Sequence, residues 1–326
     1  MTDHEPENTQ RAPANSAWER DVINRLLFAG LNEQRRARRW NIFFKSLLFL
    51  YLFLLLIMYM PGTWTKSVAV GKHTALVEVR GVIADDAEAS ADNIITGLRA
   101  AFKDGNTAGV ILRINSPGGS PVQAGYINDE IKRLRGKYPK IPLYAVITDM
   151  CASGGYYVAV AADKIYADKA SLVGSIGVLM DSFGFVETMD KLGVERRLLT
   201  AGEHKGLLDP FSPAKPEDVA HIQNMLNVIH KQFIETVRKG RGARLKESPE
   251  LYSGLIWTGE QGVTLGLVDA LGSSSYVARE IIGAADIVDF TPREDYLSRL
   301  TGRFGVEMLD ALLAKLGINV NGVSLR

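Results

Sequence analysis

Residues 42–60, IFFKSLLFLYLFLLLIMYM, hold one charge, Lys45, close to the start of an otherwise apolar run. A helix apolar on every face has no side to turn toward water, so a run this long is the core of a large body or a membrane span. A span is favoured, because Lys45 sits near the end, where its side chain can snorkel toward the headgroups. RRARRW precedes the run, with Arg35, Arg36, Arg38 and Arg39, and PGTWTKS follows it. The positive-inside rule then keeps residues 1–41 in the cytoplasm and exports the rest. The run exceeds the ~7–15 apolar residues of a cleavable signal, and no A-x-A site follows, so the reading is an uncleaved signal anchor.

This divides the chain into a cytoplasmic tail (1–41) with a basic juxtamembrane stretch, the anchor (42–60), a linker (61–72), an exported domain (73–290) and a C-terminal extension (291–326) with one amphipathic helix. The first part of the tail, MTDHEPENTQRAPANSAWER, is polar with no apolar period and reads as disordered. The 326 residues are 46% hydrophobic and 23% charged, enough for a substantial core. A formal net charge of +1 offers nucleic acid no basic face. Cys151 is the single cysteine, so no intrachain disulfide forms, and it reads as a small packing residue rather than a nucleophile.

In the exported part, TALVEVRGVI (74–83), AGVILRINS (108–116) and IPLYAVITD (141–149) read as strands. ADNIITGLRAAFKDG (91–105) and PVQAGYINDEIKRLRGK (121–137) read as the helices between them. This alternation means βαβ units and a mainly parallel sheet. Glycine-rich turns follow the second and third strands: SPGGS at 116–120 and SGG at 153–155. Sites in open α/β sheets form at the carboxyl ends of strands, so these turns are expected to line one crevice. Further on, 164–180 reads as short strands around a turn. Residues 216–242 read as a long helix with Val219, Ile222, Met225, Leu226, Ile229 and Phe233 on one stripe.

Ser153 in that second turn can be a helix cap, a phosphate ligand or a nucleophile. A serine nucleophile needs a base and donors for the oxyanion. Backbone N–H groups of Gly154 and Gly119 are candidate donors. Of the five histidines, His4 lies across the membrane, His73 opens the first strand, and His221 and His230 belong to the long helix. His204 remains, with Lys205 beside it in TAGEHKGLL. A lysine serves as base when neutral, which burial achieves by lowering its pKa from ~10.4 by up to ~3–5 units. Ser175 in GSIGV could hold the amine. Spacing does not choose between His204 and Lys205, nor between a catalytic serine and a capping one.

The motifs NSPGGS, MCASGGYYVAVAADKIYA, GSIGV, AGEHKG and WTGEQGVTLGLVDALGS, in this order behind one anchor, resemble the signal peptide peptidase A family of Ser/Lys proteases over roughly residues 73–275. The resemblance implies an α/β domain with the crotonase/ClpP-like fold and its repeated ββα units. It implies Ser153 as nucleophile, Lys205 as general base, Gly119 and Gly154 at the oxyanion and Ser175 orienting the lysine, with no metal or cofactor. The implied activity is a membrane-anchored endopeptidase that degrades cleaved signal peptides and other apolar peptides at the periplasmic face of the inner membrane. Short family members with one copy of the domain resemble dome-shaped oligomers, so a homo-oligomer with dyads completed across subunits is expected. His204 before the lysine and the cytoplasmic tail depart from the pattern. The competing readings are a protease of this fold acting on specific membrane proteins in quality control, a crotonase-type acyl-CoA enzyme, and a scaffold in which SGG only caps a helix.

Overall fold

The computed structural model describes residues 15–59 and 71–292, which belong to two units, Met1–Lys66 and Ser67–Arg326. The first unit contributes one helix, α1 (Asn15–Tyr59, 45 residues). At 1.5 Å per residue it is ~67 Å long, about twice the ~30 Å hydrocarbon core of a bilayer. Among the described residues it is the one helix long and apolar enough to cross a membrane, over Glu33–Leu56, and none of that stretch is buried. Trp40, next to the arginines, stacks on Phe44 and meets Phe43 edge-on. Residues 15–20, the last part of the stretch read as disordered, are helical and continue through residue 41 into the anchor. Residues 15–41 include six Arg, three Leu and three Ala, all good helix formers, and extending an existing helix requires no new nucleus. Residues 1–14 of the tail, most of the 61–72 linker and nearly all of the 291–326 extension lie outside the described residues.

The second unit runs β1 (His73–Arg80), α2 (Ala91–Lys103), β2 (Thr107–Ser116), α3 (Pro121–Lys137), β3 (Leu143–Ala152), α4 (Gly154–Ala159), β4 (Lys164–Ala167), β5 (Leu172–Gly174), α5 (Val186–Leu192), α6 (Pro216–Arg241), β6 (Ile256–Thr258), α7 (Gly259–Leu265), β7 (Ala270–Leu271), α8 (Ser274–Tyr276) and β8 (Ile287–Asp289). A π-helical turn, Val277–Ile282, prolongs α8. The sheet order is β6-β5-β3-β2-β1-β8, with β4 beside β3 and β7 beside β4. Every pair is parallel except β5 with β6. The first three strands each alternate with one helix, and a two-strand step comes with β4 and β5.

Both faces of the central strands are buried, which is why β1 and β2 read as nearly continuous apolar runs. Val77, Val79, Leu112 and Ile114 pack with Ile94, Leu98, Ile127 and Ile131 of the helices. Leu76, Ile111 and Val146 face Val277 and Ala278 on the other side. Ser90 caps α2 by accepting from the Asn93 N–H, and Ser120 caps α3 in the same way from Gln123, with Pro121 in its first turn. The chain therefore passes from the SPGG turn directly into a helix.

β3 runs past its expected end at Asp149. Ile114 pairs with Ile147 but Ser116 pairs with Cys151, so β3 places four steps against two on β2. Such a bulge bends the strand and re-aims the residues beyond it. It also changes the partner on the other edge: Tyr144–Ile147 pair with β4, and Met150–Ala152 pair with β5. The redirected end carries Ser153.

Glu130 of α3 ties two helices together. Its carboxylate is 8% exposed and lies 2.6 Å from Arg133 and 2.7 Å from Arg99 of α2. The hydrogen bond from Arg133 chiefly, then that from Arg99, hold its pKa down to about 2 from the usual 4.5, against the opposing effect of burial. A pKa depressed on folding gives stability that is complete above the unfolded value and disappears as pH falls through the folded one. Glu130→Gln is expected to lower unfolding stability by about 2 kcal/mol at pH 7, after discounting for the exposed arginines. The gap should narrow between pH 4.5 and pH 2. Urea unfolding of both proteins at pH 7 and at pH 3 checks this, and an equal gap at both would exclude the carboxylate charge as its source.

Candidate active site

Ser153 follows the last residue of β3 with φ 51° and ψ −122°, a conformation worth about 1–3 kcal/mol of strain for a residue with a side chain. Its N–H donates to the Gly174 carbonyl at 2.9 Å, and its carbonyl accepts from the Tyr157 N–H at 3.0 Å. The backbone is thus held on both sides. Ser153 occupies the N-cap position of α4, yet its side chain makes no capping hydrogen bond. A cap that caps nothing has no reason to be strained, so the capping reading loses its support.

The SPGG turn lies against this serine. At Gly118, φ is +103°, and a Cβ there would sit 2.7 Å from both the Ser153 Cβ and the Gly154 nitrogen. At Gly119 a Cβ would lie 2.1 Å from the Ile83 carbonyl oxygen. The Ile83 N–H donates to the Gly118 carbonyl and the Ser120 N–H donates to the Ile83 carbonyl, both at 2.8 Å. These bonds pin the turn while leaving the Gly119 N–H out. A Cβ built on Gly154 would be 3.2 Å from the Gly119 nitrogen, so the two amides are neighbours. Gly154 also begins α4, where the first N–H groups have no intrahelical acceptor.

Ser175 repeats the geometry of Ser153. Ala152 pairs with Gly174, each serine comes one residue later, and each has φ 51°. The Ser175 N–H donates to the Leu255 carbonyl at 2.8 Å. Its neighbour Ile176 accepts from His230 Nε2 of α6 at 3.1 Å; a carbonyl only accepts, so Nε2 carries the proton.

Ser153, Gly119, Gly154 and Ser175 all line one cleft of about 590 Å³, a size that suits a peptide segment. Tyr157, Ile229, Gln232, Phe233, Ser253 and Gly254 are also part of its wall, with Ala124 and Val178. Sequence reasoning placed Ile229 and Phe233 on the stripe of α6 but did not assign them to a site, and it missed the others. Lys205 is not among the lining residues: it is exposed in a run of turns, its N–H donating to the Gly202 carbonyl at 3.2 Å. His204 is also outside the cleft, with Nδ1 2.6 Å from Asp218 Oδ1. One chain therefore gathers Ser153, Gly119, Gly154 and Ser175 around one cleft, and keeps both candidate bases outside its lining. Cys151 is buried and burial pushes its thiol pKa up, which leaves it a packing residue. Among the described residues no three His, Cys, Asp or Glu side chains group as metal ligands.

A strained serine beside two glycine amides, in a cleft at the carboxyl edge of a parallel sheet, is the equipment of hydrolases that cleave acyl bonds. The model of peptidase family S49 matches residues 136–287. An Enterococcus faecium protein named as a proposed signal peptide peptidase SppA is 31% identical over 242 residues, covering 72% of this chain and 70% of that one. The chain belongs to peptidase family S49, the signal peptide peptidase A family. Protease 4 of Haemophilus influenzae is 36% identical over 210 residues, 63% of this chain and 33% of the longer protein. A Na(+)/H(+) antiporter NhaA of Brucella melitensis is 45% identical over 186 residues. The match spans only 25% of that antiporter, so the transport named for it is not carried across.

Proposed function

We propose that the chain is a membrane-anchored serine endopeptidase with a Ser/Lys dyad, acting on cleaved signal peptides and other apolar peptides. The observation that carries this is the strained, uncapped Ser153 beside the Gly119 and Gly154 amides. Ser153 Oγ attacks the scissile carbonyl as the neutral Lys205 amine takes its proton. The two amides donate to the oxyanion, and Ser175 orients the amine. The lysine then protonates the leaving amine, and water attacks the acyl-enzyme by the same route. Ala124, Tyr157, Val178, Ile229 and Phe233 give the cleft an apolar wall suited to such peptides. The arginines ahead of the apolar stretch keep the N-terminus cytoplasmic and put the catalytic domain on the periplasmic face of the inner membrane.

Lys205 comes from a neighbouring subunit in this reading. Its turn is tied through His204 to Asp218 at the start of α6, whereas the cleft wall uses Ile229. Those helix positions are about 16 Å apart along the axis. Between Ser175 and Lys205 the chain exposes Phe183, Leu192 and Leu199, apolar surface that a second subunit would cover. The test is to co-assemble full-length Ser153→Ala subunits with Lys205→Ala subunits. In a 1:1 mixture an intact serine meets a neighbour's intact lysine at about a quarter of the sites, so about a quarter of wild-type activity should return. A mixture shown by differential tagging to co-assemble, yet inactive, overturns the shared dyad.

A further inference from the structure

We propose that His204 and Asp218 are a positioning pair that sets where Lys205 stands, an inference that rests on the Ser/Lys reading. The lysine sits in a segment without regular structure, folded by local bonds: Lys205 to Gly202, Leu207 to His204, Asp209 to Gly206 and Ser212 to Asp209. Leu208 within it has φ 55°. Local bonds shape such a segment but do not place it. Its outward ties among the described residues are few. Arg196 reaches Asp209 at 3.4 Å and lies over the Phe211 ring, which also stacks on Phe185; the Phe185 N–H donates to the Pro210 carbonyl at 2.7 Å, and the remaining hydrogen bond is from His204 Nδ1 to Asp218 at 2.6 Å. The last is the shortest, and it is made by the residue next to the lysine.

The acceptor is well founded. Asp218 lies in the first turn of α6 with its side chain 7% exposed, while His204 is 58% exposed. A buried carboxylate is costly without a partner, so the aspartate holds the imidazole rather than the reverse. α6 is fixed further along by His230 on the Ile176 carbonyl. At its far end the buried Arg241 bonds the Gly266 carbonyl and Asp269, each at 2.7 Å. The helix thus links the turn that carries the lysine to the segment that carries Ser175. Holding the imidazole fixes the peptide between residues 204 and 205, and with it the Cα from which the amine extends. A displacement of about 1 Å at a reacting group is enough to cost about 100-fold in rate.

A histidine on a carboxylate is also two-thirds of a Ser-His-Asp triad, so the test separates three outcomes. Full-length His204→Ala, His204→Asn, Asp218→Ala and Lys205→Ala are assayed for kcat and KM on an apolar peptide, with thermal unfolding recorded for each. The positioning role predicts that His204→Ala lowers kcat about 10- to 100-fold with KM within about twofold, because the peptide wall is built elsewhere. His204→Asn, whose amide nitrogen takes the place of Nδ1, should return to within about threefold of wild type, and the His204→Ala/Asp218→Ala double variant should be no worse than either single change. Wild-type kcat in His204→Ala, with Lys205→Ala inactive, overturns the pair and leaves the Ser/Lys reading standing. A raised KM at unchanged kcat would also overturn it, assigning the pair to peptide binding. If both His204 variants are inactive and Lys205→Ala is active, the base is His204 and both readings fall.

Discussion

Ser153→Ala should lose peptide hydrolysis by about 10⁴- to 10⁶-fold in kcat, the range seen when a serine nucleophile is removed from an intact site. The fold should be unaffected. Alanine keeps the Cβ that already meets the Gly118 turn, the φ of 51° is no harder for it than for serine, and no capping bond is lost. The unfolding free energy should therefore stay within about 0.5 kcal/mol of wild type. Hydrolysis of an apolar peptide, labelling by a fluorophosphonate and thermal unfolding read the three statements separately. Near-wild-type hydrolysis would remove Ser153 from the mechanism. A wild-type protein that takes no label would favour the crotonase-type or scaffold readings.

Gly119→Ala is expected to damage both catalysis and stability. The residue has φ +146°, and its Cβ would fall 2.1 Å from the oxygen and 2.9 Å from the carbon and nitrogen of Ile83. These are backbone atoms of a fully buried residue, so no rotamer change relieves the overlap. The turn must lift from Ile83, breaking the two bonds that pin it and carrying the Gly119 N–H away from Ser153. Loss of one oxyanion donor costs about 10²- to 10³-fold in kcat, and the strain adds about 1–3 kcal/mol of destabilisation. Gly125→Ala in α3 is the control: nothing lies within 4 Å of its Cβ, so kcat should hold and stability should rise by up to about 1 kcal/mol. Wild-type kcat in Gly119→Ala would take this amide out of the oxyanion site.

The features the sequence determined alone are those set by local chemistry. The apolar stretch before residue 60 has no polar face wherever it goes. The alternation of β-branched runs with capped helices reproduces the observed elements from β1 to α3 within a few residues, because Ser90, Ser120 and Pro121 act on their own neighbours. The two glycine turns were legible for the same reason, and with them Gly119, Ser153 and Gly154. Tertiary structure decided the rest. The bulge that carries β3 to Ser153 arises from pairing with β2 and β5, which no window of sequence contains. The cleft wall depends on where α6 crosses, so a stripe that reads uniformly as core divides into buried Ile222 and Phe233 and exposed Val219 and Met225. The start of α1 was misjudged because polar composition says nothing of a helix continued from its neighbour. The distance between Lys205 and the cleft was hidden as well. Residues separated by a long excursion are brought together or kept apart by packing, and the free energy of packing belongs to contacts that exist only once the chain has folded.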